Sequence, residues 1–172
     1  STDLSSGAGK IGSSCMKFTG NGSNGVSELV LANSTDFNFP GDFTVEFWFN
    51  FVSSDHSGNG GTIISRRGTA TSQIGFRDSS NGQLMIQAPG HNALFGPTGL
   101  HDGNWHHVAW VRNGTGTNNI KCYVDGNQEL QYSNTSPWFN VTSPLYIGSY
   151  GAMESWGGKL DEVRLSDSAR YT

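Results

Sequence analysis

Phe43-Thr44-Val45-Glu46-Phe47-Trp48-Phe49-Asn50-Phe51 puts a large apolar side chain at every odd position, with Thr, Glu, Trp and Asn between them. A period of two is the signature of a strand with one buried face, because successive side chains on extended backbone point to opposite sides. Outward from this stretch the same alternation recurs in short runs. Candidate strands cover Cys15–Thr19, Glu28–Ala32, Thr62–Arg66, Gln73–Arg77, Gln83–Ala88, Trp105–Arg112, Ile120–Asp125, Leu145–Gly148 and Lys159–Leu165. Between them lie clusters of Gly, Asn, Asp and Ser, such as Gly20–Gly25, Ser53–Gly61, Asn113–Asn119 and Asp125-Gly126-Asn127, which suit tight turns. No segment keeps a helical period. About ten strands without helices predict an all-β chain folded as an antiparallel two-sheet β-sandwich.

Composition agrees and narrows the function classes. The 172 residues contain 24 Gly, while charged residues reach only 14% against a typical quarter. Aromatic residues, at 12%, supply bulk for a core, so one domain over residues 1–172 is expected. Ten Lys and Arg against fourteen Asp and Glu give a net charge of −4. Apart from Arg66-Arg67 there is no basic cluster, and nucleic-acid binding lacks its electrostatic footprint. No apolar run approaches the roughly 18 residues that span a bilayer, so membrane insertion is not expected. The chain opens on STDLSSGAGKIG, which has no signal-peptide core, and any export signal is expected upstream of it.

Two cysteines allow one bridge, and parity weighs against it. Met16 and Phe18 read as inward, which puts Cys15 on the opposite face, whereas Cys122 shares the inward face with Ile120 and Val124. Both a Cys15–Cys122 bridge and a free buried Cys122 remain open at this point.

Six runs in order carry a family resemblance: CMKFTG at 15–20, DFNFPGDFTVEFWFNF at 36–51, DGNWHHVAWVRNG at 102–114, KCYVDG at 121–126, PLYIGSYG at 144–151 and WGGKLDEVRLSDSARYT at 156–172. Together they resemble the laminin-G-like group of the concanavalin A-like lectin/glucanase superfamily, over nearly the whole chain. The ending is similar to copies of this module in bacteriophage tail and virion proteins and in large secreted bacterial proteins. The resemblance implies a jelly-roll sandwich whose concave sheet and rim loops bind carbohydrate, often with a calcium ion nearby.

Sandwich glycoside hydrolases need two carboxylates about 5–5.5 Å apart for a retaining reaction. Here no two glutamates lie two or four residues apart on a strand, and Glu46 has Thr44 and Trp48 as its same-face neighbours. A glycoside hydrolase is therefore the least expected reading. His106 and His107 are adjacent on a candidate strand, point to opposite faces and cannot share a metal.

Asp161 has the same parity as Val163 and Leu165, which puts a carboxylate on the apolar side, where an unpaired charge is costly. The resemblance implies that this Asp holds a structural calcium ion with backbone carbonyls of the turn after the first strand, here Gly20 and Asn21. The alternative is that Asp161 caps backbone N–H groups or pairs with a cation such as Arg164.

Ligand-binding candidates come from loops that carry aromatic or polar residues the core does not need: Asp55 in Ser53–Gly61, His91 and Asn92 in Pro89–Asp102, Tyr150 in Ser149–Trp156, and Trp138 near Pro137. Aromatic rings stack on sugar faces while amides and carboxylates take the hydroxyls. Arg66 and Arg67 at a strand end could clamp an acidic sugar through a guanidinium fork. A second surface is the outer side of the aromatic strand, where Glu46, Trp48 and Asn50 could join Gln83 and Gln87 in a polar trough. The sequence thus predicts a non-catalytic recognition module, extracellular or on a virion surface, adhesive toward a glycan or cell-surface polysaccharide. The alternative is a structural module that docks onto other subunits of a larger assembly.

Overall fold

A computed structural model describes residues 2–6, 9–20, 27–55, 61–66, 72–78, 81–88, 91–135, 141–151 and 154–172, with backbone alone for 2–6 and 72–78. Thirteen strands follow in order: β1 Thr2–Ser6, β2 Ser14–Thr19, β3 Leu29–Leu31, β4 Phe43–Asn50, β5 Thr62–Arg66, β6 Ser72–Asp78, β7 Gln83–Ala88, β8 His91–Phe95, β9 His106–Arg112, β10 Ile120–Val124, β11 Asn127–Tyr132, β12 Leu145–Ile147 and β13 Gly157–Ser166. They form a seven-stranded sheet, β1-β2-β13-β4-β9-β10-β11, and a six-stranded sheet, β3-β12-β5-β6-β7-β8, whose ladders all run antiparallel. The expected antiparallel β-sandwich is the fold observed.

The stretch that set the expectation lies at the centre of the larger sheet. Phe43, Val45, Phe47, Phe49 and Phe51 are all essentially inaccessible, and they join Ile64, Leu84, Ile86, Val108, Trp110, Trp156 and Leu160 in one core between the sheets. Fully burying side chains of this size is worth roughly 1.5–3 kcal/mol each, so this row fixes which face of β4 turns inward. Thr44, Glu46, Trp48 and Asn50 are consequently committed to the outer face.

Three strands were not anticipated. β11, NQELQY, turns only Leu130 and Tyr132 inward, as suits an edge strand, and gives little apolar signal. β8 makes His91 and Asn92 part of an edge strand paired with β7, not of a rim loop. β1 pairs with β2 through Thr2–Ser6, where the sequence carries no run of apolar alternation.

The cysteines stay apart. Cys15 and Cys122 are both free and buried, and four inter-strand steps separate β2 from β10, roughly 19 Å at sheet spacing. A bridge across that span is impossible.

The parity expected for Asp161 fails at a β-bulge. Asp161 pairs with Trp48, but Arg164 pairs with Glu46, so three residues of β13 advance past two of β4. Glu162, with φ of 51°, is the extra residue. The insertion reverses the alternation, leaving Leu165 opposite Val45 on the core side and Asp161 on the outer face with Trp48.

Candidate functional site

The outer face of the seven-stranded sheet holds a depression of about 580 Å³. Glu46 and Trp48 of β4 and His107 of β9 form its floor, with Asp125, Glu162 and Arg164 at its rim. Each position follows from local structure. Trp48 and His107 are register partners on adjacent strands, with ring centroids 5.1 Å apart. Asp125 and Gly126, with φ of 50° and 82°, make the two-residue β10–β11 turn that Asp-Gly sequences favour. The bulge at Glu162 brings Arg164 beside Glu46.

Two neighbouring histidines have their pKa values pushed in opposite directions. His106 sits between two carboxylates, with Nδ1 2.7 Å from Asp125 Oδ2 and Nε2 3.1 Å from Asp102 Oδ1. Burial works against the imidazolium, but these two hydrogen bonds outweigh it and raise the pKa above the ordinary value. Asp102 is held down at about 2: burial opposes its ionisation, and hydrogen bonds from Asn104 and His106 overcome it. His107 faces the depression, and burial lowers its pKa despite Glu46 with Oε2 3.4 Å from its Nε2. At neutral pH the floor therefore carries a neutral imidazole. The opposite faces of these histidines match the expected parity.

Glu46 is almost fully buried, with Arg170 Nε 2.9 Å and Arg164 Nη1 3.6 Å from Oε1. Tyr171 donates its hydroxyl to Oε2. Lys10 places its ammonium 4.4 Å from the centroid of the Trp48 ring. A cation–π contact at so exposed a lysine is worth about 0.5–1 kcal/mol, a light cover that a ligand can displace.

Asp161, beside the depression, is held by backbone amides. Its Oδ2 accepts from the amides of Lys10 (2.7 Å) and Ile11 (2.9 Å), and Oδ1 accepts from the Glu162 amide. Backbone N–H groups thus satisfy the carboxylate, as the alternative to calcium anticipated. The expected calcium set does not assemble. Gly20 bonds to Trp156 at the far end of β13, five residues from Asp161 and roughly 16 Å along the strand. Calcium needs six to eight oxygens around one point, and Gly20 and Asp161 lie too far apart to share it. Asn21 lies outside the described residues. Among the described residues no cluster of three His, Cys, Asp or Glu could hold a metal ion.

The other candidates disperse. Arg66 is wholly buried and cannot clamp a sugar: its guanidinium donates to Asn38 Oδ1, Asn33 Oδ1, and the carbonyls of Val141 and Ser143 at 2.6–2.9 Å. Nothing local in the sequence warns of this, because the oxygens that hold Arg66 come from distant residues. His91 stacks flat on Tyr132, with centroids 3.6 Å apart, and joins the edge strands of the two sheets. Asn92 is exposed beside it. Asp55 is exposed and closes its own turn, accepting from the Val52 amide at 2.8 Å. Tyr150 is half-buried, away from the depression. Gln83 and Gln87 belong to the six-stranded sheet, so they cannot share a trough with Glu46 and Trp48. Arg67 and Trp138 lie outside the described residues. Of the ligand candidates among the described residues, only Trp48 is in the depression. Tyr171 and His107 were missed as site residues because a terminal tyrosine and a strand histidine have no local pattern that points to one another.

A laminin-G-like family model described as the concanavalin A-like lectin/glucanases superfamily matches residues 22–171. No curated protein sequence matches the chain. Among solved structures, the binding domain of Paraclostridial mosquitocidal protein 1 is similar with a TM-score of 0.70 at 16% identity, over 99% of this chain and 45% of that one. Domain 4 of AbnA, an extracellular arabinanase from Geobacillus stearothermophilus, solved in complex with arabinotriose, gives 0.66 at 17% identity, over 98% and 76%. Domains LG4-5 of the mouse laminin alpha1 chain give 0.60 at 16%, over 92% and 44%. The chain spans less than half of the first and third of these. At such identities the likeness is one of fold. No helix among the described residues is long and apolar enough to cross a membrane.

Proposed function

The chain belongs to the concanavalin A-like lectin/glucanases superfamily, and from that premise we propose that it is a non-catalytic binding module that takes carbohydrate on the outer face of its seven-stranded sheet. The carrying observation is the position of Trp48: half-buried on the floor of an open depression, with hydroxyl-pairing groups of both signs around it. An indole offers an apolar face to a sugar ring, while Asp125, Glu162, Arg164 and the neutral His107 offer acceptors and donors to its hydroxyls. The charges nearly cancel, since Glu46, Asp125 and Glu162 face Lys10, Arg164 and Arg170. That balance favours an uncharged glycan over an acidic one. The arabinanase domain seen with arabinotriose supports a sugar ligand as one that this fold accommodates.

Catalysis is disfavoured by the state of Glu46. Two arginines, a histidine and a tyrosine hydroxyl converge on this carboxylate, which is the arrangement of an anchor and not of an acid poised to donate a proton. We infer an extracellular setting, as for the extracellular arabinanase whose domain shares the fold, and carriage on a virion or a larger adhesive surface protein is the finer reading. The reading needs no calcium, because the groups around Trp48 supply donors and acceptors without one.

A glycan array of the purified chain and its Trp48→Ala variant, with calcium and with EDTA, tests the reading. Binding to a related group of neutral sugars that Trp48→Ala abolishes and EDTA leaves intact supports it. Absence of binding by a chain shown to be folded would instead favour docking to protein. One observation supports that second reading: Leu29 and Val30 on the edge strand β3 are 38% and 49% exposed.

A further inference from the structure

Thr44 and Glu46 are on the outer face of β4 and yet buried, because residues after β13 cross over them. Thr44 Oγ1 donates to the Ser168 carbonyl at 2.8 Å and accepts from the Arg170 amide at 3.0 Å, which fixes the start of the crossing. Tyr171 then reaches Glu46 Oε2 with its hydroxyl. Its ring leans on His107 and Tyr123, with centroids 6.4 and 6.2 Å away.

Beyond Thr44 the covering segment matches poorly what it covers. Glu46 Oε1 has its charge balanced by Arg164 and Arg170, but neither N–H is directed at it, and it accepts no hydrogen bond. The Tyr123 hydroxyl is also shielded from solvent with no partner among the described residues. Buried groups in this condition forfeit the hydrogen bonds they make with water. Tyr123 lines a second depression of about 390 Å³, with Ala109, Arg170 and Thr172. His107, Gly126 and Tyr171 line both depressions, so the Tyr171 side chain is part of the partition between them. Each is within the usual size range of a ligand site. Tyr171 itself is 39% exposed.

We propose that Arg170–Thr172 is a displaceable cover over a second subsite, built on Glu46 and Tyr123, that takes an uncharged, hydroxyl-rich sugar residue linked to the one on Trp48. This rests on the carbohydrate reading of the sheet face. The Tyr171 hydroxyl occupies the place of a sugar hydroxyl donating to Glu46. When it lifts, both carboxylate oxygens and the Tyr123 hydroxyl are free to pair with a diol, and the two depressions join. The ligand is then an oligosaccharide, with a single sugar served by the Trp48 side alone. The affinity of a site that is open part of the time is reduced by the open fraction, so loosening the cover strengthens binding.

The test compares wild type, Tyr171→Ala, Tyr171→Phe and Trp48→Ala on an array of neutral mono- and trisaccharides, with calorimetric titration of arabinotriose, maltotriose and cellotriose and thermal unfolding as the check on folding. The expected result is trisaccharide binding about tenfold tighter in Tyr171→Ala than in wild type, a smaller gain in Tyr171→Phe, and little change for monosaccharides. If wild type binds and Trp48→Ala does not, but both Tyr171 variants match wild type or bind more weakly, the cover is overturned and the sheet-face site stands. If Tyr171→Ala does not fold, Tyr171→Phe decides alone, since it keeps the ring and drops only the hydroxyl. Binding by none of the folded chains overturns the cover together with the reading beneath it.

Discussion

Asp161 and Trp48 face each other across adjacent strands, and Lys10 joins them: its amide donates to the Asp161 carboxylate while its ammonium lies over the Trp48 ring. One acidic residue thereby pins the 9–13 loop beside the outer-face depression. Asp161→Ala strands the three amides that it now satisfies, and should lower stability by about 2 kcal/mol, with Asp161→Asn costing less. Urea unfolding followed by tryptophan fluorescence reads both. The same experiment with calcium and EDTA separates this role from metal binding, because an ion held by Asp161 would make wild type, but not Asp161→Asn, lose stability in EDTA.

The His106 triad predicts a pH profile with two edges. His106 has a raised pKa in the folded chain, so its contribution is complete below the unfolded value of 6.5 and is lost as pH rises through the higher folded value. Asp102 has a depressed pKa, so its contribution is present above the unfolded value of 3.8 and disappears as pH falls through about 2. The melting temperature should therefore fall as pH rises above about 6.5, and His106→Gln should flatten that limb. A limb of equal steepness in the variant would assign it to another group.

The architecture was readable because one row of aromatics decided it. Phe43 to Phe51 fixed the inner face of β4, and with that face set, Glu46 and Trp48 had to lie outside. Asp161 was misplaced for a local reason: counting parity through Leu-Asp-Glu-Val-Arg-Leu takes regular pleating for granted, and nothing in those residues announces an inserted Glu162 at a positive φ. Arg66 was misread because paired arginines usually mark solvent, and the oxygens that hold Arg66 come from 33, 38, 141 and 143, distant in sequence. The trough itself depends on 170–172 folding back over β4, a contact with more than 120 residues between its partners.

Arg66 should prove a stability residue with no part in binding. Its loss empties a wholly buried site and leaves the part-buried acceptors at Asn38, Val141 and Ser143 and the exposed Asn33 without their donor, which places Arg66→Ala among the severe substitutions, at about 3 kcal/mol or more. Arg66→Lys carries the charge but cannot spread donors as a fork and should recover only part of the loss. Denaturant midpoints measure the effect. At temperatures where the variants stay folded, sugar affinity should equal that of wild type, and a selective loss of affinity would return Arg66 to the ligand.

The bulge at Glu162 makes the sharpest demand on sequence. A non-glycine residue at φ of 51° carries about 1–2 kcal/mol of backbone strain, and a β-branched residue there carries more. Glu162→Val should therefore destabilise the chain by at least about 1 kcal/mol, although Glu162 is exposed and most exposed substitutions change little. Glu162→Gly relieves the strain but gains entropy in the unfolded chain, so the two effects should cancel to within about 0.5 kcal/mol. Deleting residue 162 is the stronger experiment. Without the extra residue the strand regains strict alternation in the register already present: with Leu160 opposite Phe49 and Asp161 opposite Trp48, Val163 falls opposite Phe47, Arg164 opposite Glu46 and Leu165 opposite Val45. The deletion variant should therefore keep a cooperative thermal transition. Loss of that transition would show that β13 needs the bulge itself and not only the placement of Arg164 beside Glu46.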